Sequence, residues 1–524
     1  MFKNLKGALP RRRATSRGKI PFPIWWILLT LLYCGVFTTV EFIGSPVSGL
    51  SGFMNLAVQY CVVMFATSGI IGLISVNRYV FALTFPLLTS TSTVLSYYKL
   101  VMDVSFTPMM VEVALINDLK TWLTVIDTHL ILWFMLSLSL SIAIVVLRFR
   151  ILKPSGLTAS AIHLLLSVLI ILIPLKIVNR FRMPVTNRMP YSLFEVTRQY
   201  FENRKAIAVQ RDAFDGVSVT STADAPDVVV VLGEALRSDH LGINGYRRQT
   251  TPLLAKETDL VSFPNVYSDY IFTHLSIPHI VTRADSVNPD IAYSEPSFIS
   301  LFNKAGYESR WISNQDNVNS YVYFLHEADS LVYSNAAKSL YDFSSWYDAD
   351  LLPHISRALQ EGKGSKLLVV HSIGSHWWYK SHYPDSLAVF KPELDSRILS
   401  ELTDEQIINS YDNTVIATDR FIADIIAMLR KRNAILIYIS DHGESLGENG
   451  NYLHKGDSPE LHNPACFVWW SESYANAFPD KVKALRQNKN RHWRTDAIFH
   501  SVVDGAGLET AVLDRNQSLF HHDD

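Results

Sequence analysis

The amino-acid sequence predicts an N-terminal α-helical transmembrane bundle followed by a C-terminal α/β domain with a mostly parallel central sheet. Long apolar runs fill roughly the first third of the 524 residues, and the charged residues and histidines gather in the rest. In the second part, short apolar runs alternate with helical stretches. The chain is 48% hydrophobic and 18% charged, which is apolar for a soluble protein.

Charge and cysteine content exclude several classes of protein. The formal net charge is -2, and no basic stripe interleaved with aromatic residues is present, so we expect no nucleic-acid partner. Cys34 and Cys61 lie in apolar runs and Cys466 stands alone, which excludes a disulfide framework.

Five apolar runs are long enough to cross a bilayer, because a spanning helix needs about 20 residues. We therefore predict an N-terminal tail over 1–21, a transmembrane domain over 22–178, a bridging segment over 179–225 and a second domain over 226–524. The five predicted spans are Phe22–Ile43, Leu56–Val76, Tyr79–Tyr98, His129–Phe149 and Ala159–Val178.

The distribution of Lys and Arg sets the orientation, since cytoplasmic segments carry an excess of them. With five crossings, the basic N-terminal tail, the turn at Arg78 and the loop with Arg148, Arg150 and Lys153 fall on one side. The tail is then cytoplasmic and the second half lies outside. A re-entrant run would make the number of crossings even and place the second half inside the cell.

The sequence allows two structural interpretations for each of two connecting segments. The outer loop Val101–Thr128 is apolar enough to form an interfacial helix or to pack against the soluble domain. The basic residues of the bridging segment fit either lipid phosphates or a solvated helix face.

The second half has the pattern of a parallel sheet covered by helices on both faces. Asp404–Arg430 repeats apolar residues at intervals of three and four, as a helix does. The polar residues that follow the strands would meet at one edge of the sheet. The predicted strands are Val228–Leu232, Arg310–Ser313, Leu367–His371 and Ile435–Ser440.

A metal site is predicted at that edge. Asp441 and His442 directly follow a buried strand, and Glu234 follows Gly233 at the end of another. Carboxylate and imidazole are ligands suited to Zn²⁺ or Mn²⁺. Each motif alone is also common in structural roles; together the three residues make a plausible ligand set.

Thr273 is the candidate nucleophile, 39 residues after Glu234. A threonine hydroxyl is a poor nucleophile unless a metal or base lowers its pKa. Taken alone, Thr273 reads as a helix N-cap, a role that is compatible with binding phosphate at a helix N-terminus.

Several ordered motifs resemble the phosphoethanolamine transferases of Gram-negative envelopes, which belong to the alkaline-phosphatase/sulfatase superfamily. The match covers nearly the whole soluble domain, and the five-span anchor fits it. The motifs are Gly233-Glu234, Asn244-Gly-Tyr, Thr251-Pro-Leu-Leu, His371-Ser-Ile-Gly-Ser-His376, Tyr411-Asp-Asn-Thr and the long segment from Ser440-Asp-His-Gly-Glu to His454.

The resemblance implies roles for the matching residues. Glu234, Thr273, Asp441 and His442 would hold one tight Zn²⁺, with Mn²⁺ the less favoured ion, and Thr273 would become phosphorylated. His376 and His454 would contact the substrate phosphate or a second metal, and His454 is also a candidate general acid. The substrate-binding set implied by matching position is His376, His454, Gln315 and Asn319.

The same resemblance implies the partners and the location. The donor would be phosphatidylethanolamine and the acceptor lipid A or another lipopolysaccharide-type glycolipid, with a core sugar or a periplasmic glucan as further options. We expect a multi-pass protein of the bacterial inner membrane whose catalytic domain lies in the periplasm.

Departures from the family pattern concern the substrate more than the metal. Tyr270-Ile-Phe replaces Cys-Gly-Thr before the nucleophile segment, and Gln315 and Asn319 stand where some members have Asn and Lys. Trp377 and Trp378 replace Gly-Pro after His376, and they suit either a lipid entrance or the core.

Three rival functions follow from the same features. A phosphoglycerol transferase of the lipoteichoic-acid type would share the anchor, fold and nucleophile, but the long Ser440–His454 signature argues against it. A hydrolytic sulfatase needs a Cys/Ser-x-Pro-x-Arg motif, and the stretch at Ser276-Ile-Pro278 has no such Arg. A non-catalytic envelope scaffold would have no need for the intact metal and nucleophile residues.

Overall fold

The computed structural model describes residues 20–43, 49–102, 106–108, 111, 128–152, 156–209, 211, 214–315, 320–334, 345–396 and 399–522. Most of the predicted outer loop Val101–Thr128 lies outside these residues, so its two interpretations stay open. The chain divides into two compact units. Of the described residues, 20–43, 54–102, 128–152 and 156–195 form the first unit, and the second comprises those from Val196 onward together with 49–53, 106–108 and 111.

Apolar helices form the first unit. Large apolar side chains point away from its interior, as Leu132 and Leu83 do with 62% and 68% of their surface exposed. Such exposure is costly in water and is normal for helices that face lipid. The helices before the first strand are α1 (Phe22–Val36), α2 (Gly49–Ser75), α3 (Arg78–Met102), α4 (Thr128–Ile151), α5 (Leu157–Leu172), α6 (Arg182–Thr186) and α7 (Tyr191–Ile207). Helix α7 is polar, and most of it belongs to the second unit.

Four of the five predicted spans are helices long and apolar enough to cross a membrane, counted over the described ranges. They are α2, α3, α4 and the continuous stretch Leu157–Ile177. The first predicted span is shorter, because α1 has 15 residues and a separate 3-10 helix, Thr38–Phe42, follows it. The number of crossings therefore stays a prediction.

The basic segments that were placed on one side of the membrane do meet at one end of the first unit. The backbone N–H of Ile20 donates to the carbonyl of Ile151 at 3.1 Å. The Arg78 guanidinium lies 5.4 Å from the ring centre of Phe149. The end of the tail, the turn before α3 and the end of α4 are thus neighbours, as the predicted grouping of the basic segments requires.

A seven-stranded sheet forms the centre of the second unit, in the order β3-β11-β8-β2-β7-β5-β6. The five strands from β8 to β6 are parallel, and β11 runs antiparallel to both of its neighbours. The strands of this unit are β1 (Val219–Thr220), β2 (Asp227–Gly233), β3 (Leu260–Ser262), β4 (Val266–Tyr267), β5 (Glu308–Ser313), β6 (Ser330–Tyr333), β7 (Lys366–His371), β8 (Ala434–Ser440), β9 (Ser445–Leu446), β10 (Tyr452–Leu453), β11 (Cys466–Trp470), β12 (Trp493–Arg494) and β13 (Glu509–Thr510).

Helices cover both faces of this sheet, which confirms the predicted architecture. Helices α8, α10 and α16 pack on one face and α12 and α13 on the other. The helices of this unit after α7 are α8 (Thr273–Val281), α9 (Ile291–Ser294), α10 (Phe298–Lys304), α11 (Val322–Leu325), α12 (Leu352–Gln360), α13 (Asp404–Leu429), α14 (Glu472–Ala477), α15 (Pro479–Asn488) and α16 (Ala497–Gly505).

Strand β2 shows why the sequences of the central strands are continuous apolar runs. Val228, Val230 and Leu232 point into one core, while Val229 and Val231 point into the other. All are completely buried, because helices cover both sides of the strand. The four predicted strands are confirmed as β2, β5, β7 and β8, and the predicted helix Asp404–Arg430 is α13 to within one residue.

Helix α13 holds the segment after β2 in place through Tyr411. The Tyr411 hydroxyl donates to the carbonyl of Ala235 at 2.6 Å and accepts from the N–H of Arg237 at 2.8 Å. The next residues of α13 brace other loops, since Asp412 binds His240 and Thr414 contacts Ser375. The Tyr-Asp-Asn-Thr motif thus fixes the loops around one edge of the sheet.

We predict that Tyr411→Phe destabilises the soluble unit. Two buried backbone groups lose their partner, at a cost of about 1–3 kcal/mol each. Thermal unfolding of the detergent-solubilised chain, followed by near-ultraviolet circular dichroism, measures the loss. Tyr452→Phe is the control, because Tyr452 donates to the exposed Asp404. Equal melting temperatures for the two variants would show that Tyr411 does not brace the loop.

Candidate metal and nucleophile site

The candidate site lies at the carboxyl ends of the central strands. Gly233 of β2 pairs with Ser440 of β8, so Glu234 and Asp441 leave the sheet side by side. A larger residue does not fit at position 233, because its Cβ would clash with the Tyr438 side chain. Side chains that follow adjacent parallel strands meet in this way at the edge where functional sites form.

Glu234, Asp441 and His442 form a buried group of possible metal ligands. One ligand atom from each lies within 4.8 Å of the others. His442 Nε2 is 3.2 Å from Asp441 Oδ2 and 3.5 Å from Glu234 Oε1. Among the described residues, this is the group of three or more such ligands that lies close enough to hold an ion.

The hydrogen bonds of this group leave two buried atoms without a partner. Asp441 Oδ1 accepts from the N–H groups of Ala235 and His442, at 3.0 and 2.8 Å. His442 Nδ1 donates to the carbonyl of Gly443 at 2.7 Å, which leaves a lone pair on Nε2. Asp441 Oδ2 and His442 Nε2 have no hydrogen-bond partner. Buried polar atoms without partners are costly, and a cation between them would satisfy both.

Negative charge is concentrated at the same place. Burial, and then the carboxylate of Asp441, raise the pKa of Glu234 well above its ordinary value. Burial raises the pKa of Glu444 to about 8. Three buried acids so close together repel one another unless a proton or a cation compensates. Oxygen and imidazole nitrogen in a closed, buried group fit Zn²⁺.

Thr273 lies beside this group, at the first residue of α8. Its hydroxyl donates to Glu234 Oε2 at 3.0 Å. The N-cap position is Phe272, so the interpretation of Thr273 as an N-cap is wrong. The hydroxyl is directed to the carboxylate, and the helix N-terminus adds a partial positive charge next to it.

His376 and His454, which the resemblance assigned to the substrate phosphate, also lie near this group. His454 Nδ1 donates to the carbonyl of Ile271 at 2.8 Å, and its ring centre lies 4.8 Å from that of His442. Burial lowers the pKa of His454 to about 4. Burial also lowers the pKa of His376, whose Nδ1 donates to the carbonyl of Trp377.

Gln315 reaches the same carboxylate from the end of β5. Its Nε2 donates to Glu234 Oε2 at 2.9 Å and to the carbonyl of Ser372 at 3.1 Å. Asn319, its partner in the predicted substrate-binding set, lies outside the described residues.

The loop after β7 holds the backbone of Glu234. The N–H of Ser375 donates to the Glu234 carbonyl at 2.9 Å. Gly374 has a φ of +50°, and a Cβ there would lie 2.7 Å from the Glu234 carbonyl oxygen. The glycine of the His371–His376 motif therefore permits a close backbone approach.

Asp348 supports that loop and was missed by the sequence analysis. Its carboxylate accepts from the N–H groups of Ile373 and Gly374, at 2.8 and 3.0 Å. It also accepts from Asn314 Nδ2 at 2.9 Å. A single Asp in a loop gives no sequence signal for such a role.

Trp377 and Trp378 are both half-buried and pack against the core on the α13 face. The Trp377 ring lies 5.2 Å from that of Tyr379. This packing supports the core interpretation, while the exposed part of each ring remains accessible.

Comparison with known families and proteins identifies the family of the second unit. The family model described as Sulfatase matches residues 226–508, more than half of the chain. Kdo(2)-lipid A phosphoethanolamine 7''-transferase of Escherichia coli K12 is 34% identical over 272 residues, which are 50% of this chain and 47% of that protein. Phosphoethanolamine transferase EptA of Escherichia coli K12 is 28% identical over 330 residues, 60% of this chain and 59% of that protein. The chain thus matches less than two thirds of the length of either relative.

Solved structures extend the likeness in fold to the first unit. The integral membrane protein lipooligosaccharide phosphoethanolamine transferase A from Neisseria meningitidis covers 95% of this chain and 98% of its own, with a TM-score of 0.54 and 23% identity. The periplasmic domain of EptC from Escherichia coli, in complex with Zn, covers 58% of this chain and 89% of its own, with a TM-score of 0.53 and 24% identity.

These findings agree with the four long apolar helices and with the sulfatase-like sheet. The resemblance to phosphoethanolamine transferases that the motifs indicated is confirmed. The chain belongs to the sulfatase family, and the two Escherichia coli relatives described above are phosphoethanolamine transferases.

Proposed function

We propose that this protein is a zinc-dependent phosphoethanolamine transferase that works through a phosphothreonine intermediate. The observation that carries the proposal is the Thr273 hydroxyl on Glu234, beside two unpartnered ligand atoms on Asp441 and His442. A nucleophile, a ligand set and a helix N-terminus converge there, as phosphoryl transfer requires.

Phosphatidylethanolamine is the proposed donor, and lipid A or another lipopolysaccharide-type glycolipid is the proposed acceptor. One relative is named a Kdo(2)-lipid A phosphoethanolamine transferase. Another, 30% identical over 267 residues, is the phosphatidylethanolamine transferase Mcr-1 of Escherichia coli. A membrane anchor suits this pair, because donor and acceptor are both lipids of the envelope.

In the first step, Thr273 Oγ1 forms a bond to phosphorus, and the bond from phosphorus to the diacylglycerol oxygen breaks. The hydroxyl proton already points at Glu234 Oε2, the first base it meets. Diacylglycerol leaves as an alcohol once its oxygen gains a proton. An acceptor oxygen then forms a bond to the same phosphorus and passes any proton it carries to a base. The bond from phosphorus to Thr273 Oγ1 breaks, and Thr273 regains a proton. Zn²⁺ held by Glu234, Thr273, Asp441 and His442 would favour the ionised hydroxyl and offset phosphoryl charge.

His376 and His454 are the proposed phosphate contacts, with Gln315 and Asn319 as further members of the set. His454 donates from Nδ1 to Ile271, so its Nε2 is free to accept a proton and later to give it to a leaving oxygen. A second metal at His376 and His454 remains a proposal, as does the location of the catalytic domain on the periplasmic side.

We predict that Thr273→Ala abolishes transfer and keeps the fold, whereas Thr273→Ser retains part of the activity. Only the serine keeps a hydroxyl within reach of Glu234. Mass spectrometry of lipid A and core from cells that express each variant, or none, detects the added phosphoethanolamine. Undiminished transfer by Thr273→Ala would overturn the mechanism. Added phosphoglycerol in place of phosphoethanolamine would support the rival transferase.

We predict that the purified chain holds about one zinc ion, because the described residues supply one such group of ligands, and that Asp441→Asn loses most of it. The amide cannot supply an anionic oxygen to the ion. Metal content is measured by plasma mass spectrometry after dialysis. Asp457→Asn is the matched control, since Asp457 is exposed and pairs with His462. Equal zinc in wild type and Asp441→Asn would place the ion elsewhere.

A further inference from the structure

We infer that Gln315 is a positioning residue that fixes Glu234 as a one-oxygen metal ligand, rather than a contact for the substrate phosphate. The inference rests on the metal site proposed above. Gln315 is 4% exposed, and its side chain lies between β7 and the carboxylate of Glu234.

The hydrogen-bond partners determine which end of the Gln315 amide faces the site. Glu234 Oε2 and the Ser372 carbonyl are both acceptors, so the atom between them must be the NH₂ group. An amide nitrogen carries two hydrogens, and these two bonds use both. Gln315 therefore has no donor left for a phosphate oxygen while it holds Glu234.

The same bonds give the two Glu234 oxygens different roles: Oε2 accepts hydrogen bonds, and Oε1 faces the ligand atoms. Oε2 accepts from Gln315 and from the Thr273 hydroxyl, at 2.9 and 3.0 Å. Oε1 faces His442 Nε2 at 3.5 Å, on the side of the two unpartnered ligand atoms. Binding through Oε1 alone suits a four-coordinate ion such as Zn²⁺. Without donors on Oε2, the carboxylate would be free to turn and bind the ion with both oxygens.

Gln315 matters most once the reaction has begun. When Thr273 is phosphorylated it has no hydroxyl hydrogen, so its bond to Oε2 is lost. Of the two side chains that donate to Oε2, Gln315 is then the one that still does so. A buried polar oxygen left without a partner is costly, so Gln315 keeps Glu234 in one orientation through both steps.

Gln315→Met tests this, because methionine keeps the length and volume of the side chain and removes both donors. We expect zinc affinity, measured on the full-length chain by competition with a chromophoric chelator, to fall about 10–100-fold, as it does when a partner of a metal ligand is removed. Gln315→Asn, one methylene shorter, should show a similar loss. Gln360→Met is the control, since Gln360 is exposed and bonds Ser356.

Cobalt substitution supplies a second readout. Four-coordinate Co²⁺ absorbs visible light more strongly than Co²⁺ with more ligands, so Gln315→Met should weaken the absorption if Glu234 turns to bind through both oxygens. Circular dichroism checks that each variant is folded; if Gln315→Met is not, Gln315→Asn carries the test.

The outcomes separate this inference from the proposed function. Wild type that neither binds zinc nor transfers phosphoethanolamine would overturn both. Wild type with zinc, and Gln315→Met with the same zinc affinity and cobalt spectrum, would overturn the inference alone. An unchanged zinc affinity with a raised KM for phosphatidylethanolamine and an unchanged kcat would assign Gln315 to the substrate instead.

Discussion

The site depends on one constraint, the parallel register between β2 and β8. Pairing of Gly233 with Ser440 brings Glu234 and Asp441 together as they leave the sheet. A slip by one residue would turn every side chain of β2 to the opposite face and separate the two carboxylates. The same register is held by two cores, one on each face, so the sheet cannot shift without loss of packing on both sides.

Proximity of the carboxylates has a cost that the surrounding structure must offset. Glu234, Asp441 and Glu444 are all buried, and the pKa of Glu234 and of Glu444 is raised. Such a cluster favours protonation, distortion or a cation. Backbone bonds from Ala235 and His442 fix Asp441, so distortion is opposed, and the open lone pairs favour a cation.

Sequence reasoning found the parts of the site that follow strands, because strand ends in a parallel sheet share one edge. Glu234, Asp441 and His442 were predicted on that ground. The antiparallel β11 was not predicted, since Cys466–Trp470 is a short apolar run whose periodicity does not separate a strand from a buried helix segment. Asp348 was missed because its role depends on a fold that brings distant loops together. Tyr411 was matched as a motif, but only the structure shows that its hydroxyl braces the loop after β2.

The structure gives Gln315 a different role from the one that the family pattern predicted. By its position in the family pattern, Gln315 was predicted to contact the substrate phosphate, where some members have Asn. In the structure, both of its hydrogens go to protein acceptors, one of them the carboxylate that Thr273 also contacts. In the proposed mechanism, the charge of the phosphate would then be compensated by the metal, by His376 and His454 and by the first turn of α8, since a helix N-terminus attracts anions. A site arranged in this way separates the control of the ion from the recognition of the lipid, so one can vary while the other stays fixed.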